Sequence, residues 1–118
     1  MPVRSYHDLI GWQKSMALVT NVYRSTRNFP KDEMYGLTSQ IRRAAVSIPS
    51  NIAEGQGRLT RGEFRQFIGH ARGSVFELDS QLLIAKELGY LDEEDARTLQ
   101  RQIIEVGKIL NGLLNSLN

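Results

Sequence analysis

The residues in this chain best suited to chemistry are its arginines. Arg61, Arg65 and Arg72 fall within about 40° of one another on a helix that advances 100° per residue. Arg42 and Arg43 open a second group, and Arg58 follows it. A guanidinium presents a planar fork of donors that matches the oxygens of a phosphate. These six residues are therefore the candidate nucleic-acid-binding set. The alternative is that they pair with Glu54, Glu63, Glu77 or Asp79. Other chemistry has thin support. The chain has no cysteine and two histidines, His7 and His70, and neither has a partner at the spacing of a helical metal site. No metal, no cofactor and no catalytic residue is expected. Gly55-Gln56-Gly57 has neither the preceding strand nor the following Gly-Lys-Ser/Thr of a phosphate-binding loop.

The elements that must position these arginines are helical. Apolar residues recur at steps of three and four in four segments. The first runs from about Asp8 to Asn28, with Leu9, Trp12, Met16, Val19 and Tyr23 as its inner stripe. Phe29-Pro30 ends it. The second runs from about Asp32 to Glu54, with Leu37, Ile41, Ala44, Ala45, Ile48 and Ile52 inward, and Gly55 and Gly57 end it. Thr60-Arg-Gly-Glu63 is a capping box that opens the third, whose inner face is Phe64, Phe67, Ala71, Val75, Leu78, Leu82 and Ala85. Gly89 is a left-handed stop, and Asp92 caps the fourth. That helix carries the seam Ala96, Leu99, Ile103, Val106, Leu110, Leu113 and Leu117. Short connections favour antiparallel neighbours, so the expected fold is all-α: one domain, residues 1–118, forming an up-down-up-down four-helix bundle. The start has no signal-peptide pattern and no run is long enough to span a membrane, so a cytoplasmic location is expected.

Pro49 lies inside the second helix, where it removes a donor and crowds the carbonyl of Ala45. A bend is expected there, with the freed carbonyl taken by water or a serine hydroxyl. Several apolar or small residues fall outside the inner stripes: Leu18 and Val22, Val46, and Gly69, Gly73, Phe76 and Leu83. They are the candidate oligomer interface, where a second helix approaches closely. Charge is uneven. Residues 1–75 hold 11 Lys/Arg against 5 Asp/Glu, and residues 76–118 hold 4 against 8. The first part is expected to meet phosphate and the second is not.

Arg65-x4-His70 has the spacing of the HEPN ribonuclease domains, but on one helix the two side chains point about 140° apart. A longer resemblance covers nearly the whole chain. Arg43-Ala-Ala-Val-Ser-Ile-Pro-Ser-Asn-Ile-Ala-Glu-Gly55, with Arg58 after it, resembles the signature of the four-helix bundle proteins encoded by intervening sequences in 23S rRNA genes. Its family-motif residues here are Ser47, Pro49, Asn51, Glu54 and Gly55. Trp12, Phe29-Pro30, Tyr35-Gly-Leu37, Phe64 and Gly89-Tyr-Leu91 extend the likeness. The resemblance implies a ring-like homopentamer. It also implies kinship with the accessory variability protein of diversity-generating retroelements, which works with nucleic acid and a reverse transcriptase. The function expected is thus a non-enzymatic oligomeric bundle that binds structured RNA, such as ribosomal RNA, or a nucleoprotein partner. The alternatives are a scaffold that touches no nucleic acid and a HEPN-like ribonuclease.

Overall fold

The computed structural model describes residues 5–118. A 3₁₀ turn, Tyr6–Asp8, precedes helix α1, Ile10–Thr26. A second 3₁₀ turn, Lys31–Glu33, leads into α2, Leu37–Gln56. Helix α3 covers Arg61–Glu87 and α4 covers Glu93–Ser116. Each helix packs on its neighbours in sequence, and α1 closes the square against α4. The diagonal helices meet only through the side chains of the shared core, their backbones standing apart among the described residues. The molecule measures 43 × 25 × 21 Å, its long axis close to the roughly 40 Å that the 27 residues of α3 span at 1.5 Å each. No described helix is long and apolar enough to cross a membrane.

The caps follow the sequence with one change. Thr60 Oγ1 accepts the Glu63 N–H at 3.1 Å, but Glu63 does not reach back to the Thr60 N–H. Its carboxylate takes the threonine hydroxyl instead, at 3.0 Å. Asp92 accepts the Asp95 N–H at 2.8 Å. Gly89 has φ 79°, the left-handed conformation that a side chain would strain. Helix α2 starts five residues later than the periodicity suggests, because Lys31–Glu33 form their own turn. It also ends later, since Gly55 is inside the helix and Gly57 is its cap.

Helix α1 corrects the sequence reading. Leu18 and Val22 are 0% exposed and belong to the core, so neither can face another copy. The inward stripe is Gly11, Ser15, Leu18, Val22 and Thr26. Met16 and Tyr23, expected inside, are exposed. The reason is steric. Helix α1 meets its neighbours through small residues, and a Cβ on Gly11 would lie 3.3 Å from Ile109 Cγ2. Ser15 and Thr26 donate their hydroxyls back to Trp12 O at 2.9 Å and Val22 O at 2.8 Å, which lets polar residues sit inside without a lost hydrogen bond.

The other three helices keep their expected seams with one change on α3, where Ile68 is enclosed and the expected Phe67 is only half-buried. Ile41, Ala44, Ala45, Ile48 and Ile52 of α2 are buried against Ala71, Val75, Leu78, Leu82 and Ala85 of α3 and Leu99, Ile103, Val106 and Leu110 of α4. At Gly55 the α2 backbone lies against the side chains of α3. A Cβ there would sit 2.8 Å from Phe67 Cβ and 3.0 Å from Phe64 Cδ1.

Candidate nucleic-acid interface

The six candidate arginines do not form one patch. Arg42 is tied to α1: its Nε donates to Thr26 Oγ1 at 2.9 Å, and its guanidinium lies 4.6 Å from the centre of the Tyr23 ring. Arg58 pairs with Glu54 at 2.9 Å and lies over Phe67. Arg61 donates to the carbonyls of Ser116 and Leu117, closing the C-terminus of α4. Such a contact satisfies free carbonyls and complements the negative end of the helix dipole. Arg43 lines an open polar cleft between α2 and α3 with Gln40, Ser47, Ser74, Glu77 and Gln81. Arg65 has no partner among the described residues, and Arg72 has only the Phe76 ring, 5.0 Å away. Of the pairings considered from sequence, Arg58–Glu54 alone forms among the described residues.

Arg61, Arg65, Arg72, Phe76 and Leu83 recur at i, i+4, i+11, i+15 and i+22, so they share one face of α3. The arginines proposed for phosphate and the apolar residues proposed for self-association therefore lie on the same surface. Beside them runs α4, on which Arg97, Arg101, Ile104 and Lys108 recur at i, i+4, i+7 and i+11. The two rows meet where Leu83 and Lys86 line a groove with Arg97 and Gln100. Packed helices stand about 8–10 Å apart, so the rows form one ribbon.

The acidic count of residues 76–118 does not describe this surface, because three cations of that segment lie on it. Arg97, Arg101 and Lys108 were hidden by counting charge along the chain. Much of the acidity of that segment is gathered in Asp92, Glu93, Glu94 and Asp95 at the start of α4, where it complements the helix dipole. Glu105 faces the other way, toward Lys14 of α1, at 3.6 Å. The i, i+4, i+7, i+11 spacing was the available signal. Glu94 borders the basic ribbon beside Arg97 and Arg101. Asp79 lies on its inner edge, partly buried, with Oδ1 shielded and without a hydrogen-bond partner.

The motif residues around Pro49 are structural in this arrangement. Ser47 Oγ lies 2.5 Å from Ser74 Oγ on α3 and 2.8 Å from Ala44 O, one residue short of the carbonyl that Pro49 frees. Asn51 Nδ2 donates to Ser47 O at 2.8 Å. Helix α2 passes through Pro49 without interruption. The proline ring forms part of a shallow apolar groove with Tyr6, Trp12, Met16, Val19, Val46 and Ala53. That groove continues across Val46 and Ser50 toward Tyr23, Met34 and Tyr35. His70 is exposed on a continuous α3, on a different side from Arg65, and the two do not converge.

A closed square of four helices with a cationic ribbon on one side defines a four-helix bundle protein. The chain belongs to the 23S rRNA-intervening sequence protein family, whose model matches residues 7–112. Its fold is similar to that of a protein of unknown function from the S23 ribosomal protein family of Bacteroides thetaiotaomicron VPI-5482, solved by crystallography at 1.70 Å. The two chains are 20% identical, with a TM-score of 0.80 over 89% of this chain and 98% of that one. No curated protein matches the chain.

Proposed function

We propose that this protein is a non-enzymatic, homo-oligomeric bundle that binds structured RNA through the α3–α4 face. The observation that carries the reading is the ribbon of Arg65, Arg72, Lys86, Arg97, Arg101 and Lys108, none of which makes an ion pair among the described residues. Unpaired cations on one face are the electrostatic footprint of a polyanion site. Ribosomal RNA is the first candidate ligand, and a nucleoprotein partner such as a reverse transcriptase complex is the second. The cell's cytoplasm is the proposed setting.

Self-association is assigned to the opposite side of the molecule. The α1–α2 groove exposes Met16, Tyr23, Met34, Tyr35 and Val46. A contiguous apolar surface of this kind is costly in a monomer and is covered readily by another copy. A ring-like homopentamer is the proposed assembly, and a closed ring would repeat the cationic ribbon around its circumference. The same groove supports a second reading, a scaffold whose only ligand is itself.

Binding of labelled ribosomal RNA fragments across a salt series tests the first reading. Affinity should fall steeply as salt rises, with a log–log slope set by the number of phosphates contacted. Absence of binding at low salt would leave the scaffold. Light scattering in solution tests the assembly, for which a mass equal to the single-chain 13.4 kDa is the failing result.

A further inference from the structure

We infer that Phe76 and Arg72 form a stacking platform for an unpaired base, so that the α3–α4 face takes single-stranded segments rather than duplex. This rests on the RNA reading above and names the part of the RNA that is recognised.

Phe76 is 57% exposed in the middle of α3, beside Arg72. Helical side chains lean toward the N-terminus, so this ring lies toward the preceding turn, beside Arg72 and clear of Gly73. A Cβ on Gly73, one turn before Phe76, or on Gly69, two turns before it, would meet nothing within 4 Å, so the backbone leading up to the ring is bare. There is room next to Phe76 for a flat group to lie down. The Arg72 guanidinium, 5.0 Å from the ring centre, is itself a delocalised plane. A base can stack on the free side of either plane while phosphates farther along the strand meet other cations of the same face, Arg65 about three turns of α3 from the ring among them.

A duplex would use none of this. Its bases are already stacked within the helix, and an A-form major groove is too deep and narrow for side chains to read. It would press sugar and phosphate against an exposed phenyl ring. Aromatic rings interleaved with cations are the pattern of a surface that binds single strands, where every base offers a π-face. RNA and DNA strands share the base and the phosphate, so both belong in the test.

The experiment is fluorescence anisotropy on the full chain at low salt. Its probes are labelled strands of about 20 nucleotides, long enough to exceed a typical binding site. One RNA and one DNA strand without self-complementarity are each measured alone and annealed to the complement. Single strands should bind more tightly than duplexes. Phe76→Leu should weaken single-strand binding by about fivefold to a hundredfold, as loss of one stacked base does. Because it removes no charge, the salt slope should not change. Phe76→Tyr should retain the affinity. Equal RNA and DNA affinities would support recognition of base and phosphate, and an RNA preference would add a contact to the 2′-hydroxyl. Duplex binding as tight as single-strand binding, or a Phe76→Leu protein that binds like the parent, overturns the inference and leaves the RNA reading standing. No binding to any strand overturns both.

Discussion

Tyr90 and Glu33 tie the turn between α3 and α4 to the turn that leads into α2. The phenol donates to Glu33 Oε2 at 2.9 Å, while Glu33 Oε1 accepts the Leu37 N–H at 3.2 Å. One carboxylate thus caps the first turn of α2 and ties it to the turn between α3 and α4. The hydrogen bond to Glu33 raises the Tyr90 pKa above the usual phenol value, with smaller contributions from burial and from the charges of Glu33 and Asp32. A raised pKa means that the folded state favours the protonated phenol. Its contribution to stability is therefore complete below the unfolded value of about 10 and is lost as pH rises through the folded one. Urea denaturation between pH 8 and pH 11 should show this loss. Tyr90→Phe should lower the midpoint at pH 8 and remove this residue's share of the alkaline decline. An alkaline decline of the same size in the variant would contradict the assignment.

Two sets of glycines should respond to alanine with opposite signs. At Gly55 the new methyl would sit 2.8 Å from Phe67 Cβ and 3.3 Å from Phe64 O. Overpacking of this kind costs about 1–3 kcal/mol, more than the roughly 1 kcal/mol that alanine returns in helix propensity. Gly55→Ala should therefore destabilise, measured as a lower urea midpoint. Gly69 and Gly73 face open space in the isolated chain. Alanine at either position should stabilise the fold by up to about 1 kcal/mol. If another copy or a base lies against that backbone, the same substitutions should weaken assembly or binding while raising the melting temperature.

The arginines divide into a group that holds the fold and a group that is exposed and unpaired among the described residues. Arg61 closes the last carbonyls of α4, so Arg61→Ala should cost about 0.5–1 kcal/mol of stability at low salt. Arg65, Arg97 and Arg101 are exposed and carry no ion pair among the described residues. Each changed to Ala should leave stability within about 0.5 kcal/mol of the parent. Each should also reduce RNA affinity at low salt and lower the salt slope by about one. Glu94→Gln, beside Arg97 and Arg101, should raise affinity. Unfolding and salt-dependent binding measured on the same set separate the two groups.

Much of this was readable along the chain where side-chain size and position agree. Leu99, Ile103, Val106 and Leu110 are bulky, periodic and buried, so the α4 seam was plain in the sequence. The inner face of α1 was not, because Gly11, Ser15 and Thr26 carry no hydrophobic signal and the larger Met16 and Tyr23 are exposed, while Trp12 packs only at the edge of the core. The cationic ribbon was half readable. Spacing placed Arg61, Arg65 and Arg72 together, but α4 joined them only in three dimensions. Gly55 reads as a helix stop in one dimension, and its contact with Phe67 shows that packing fixes its identity.

Helix α1 separates core residues from candidate interface residues most sharply. Leu18 and Val22 are fully enclosed within one chain, whereas Met16 and Val46 line the outer α1–α2 groove. Leu18→Ala should cost about 2–5 kcal/mol through lost burial and a residual cavity. That loss should appear under conditions where the protein is dissociated, because the contacts are intramolecular. Met16→Lys and Val46→Lys place a charge on a surface that is already solvated in the single chain, so the dissociated chain should keep its helical signal and its urea midpoint within about 0.5 kcal/mol. Their effect should fall on assembly, where an unpaired ammonium would be buried against a second copy. Light scattering should then report a lower mass for these two variants than for the parent. An unchanged mass with both lysines in place would move the assembly surface away from the α1–α2 groove. Since α3 would then be the remaining apolar candidate, Leu83→Lys is the variant to measure beside them.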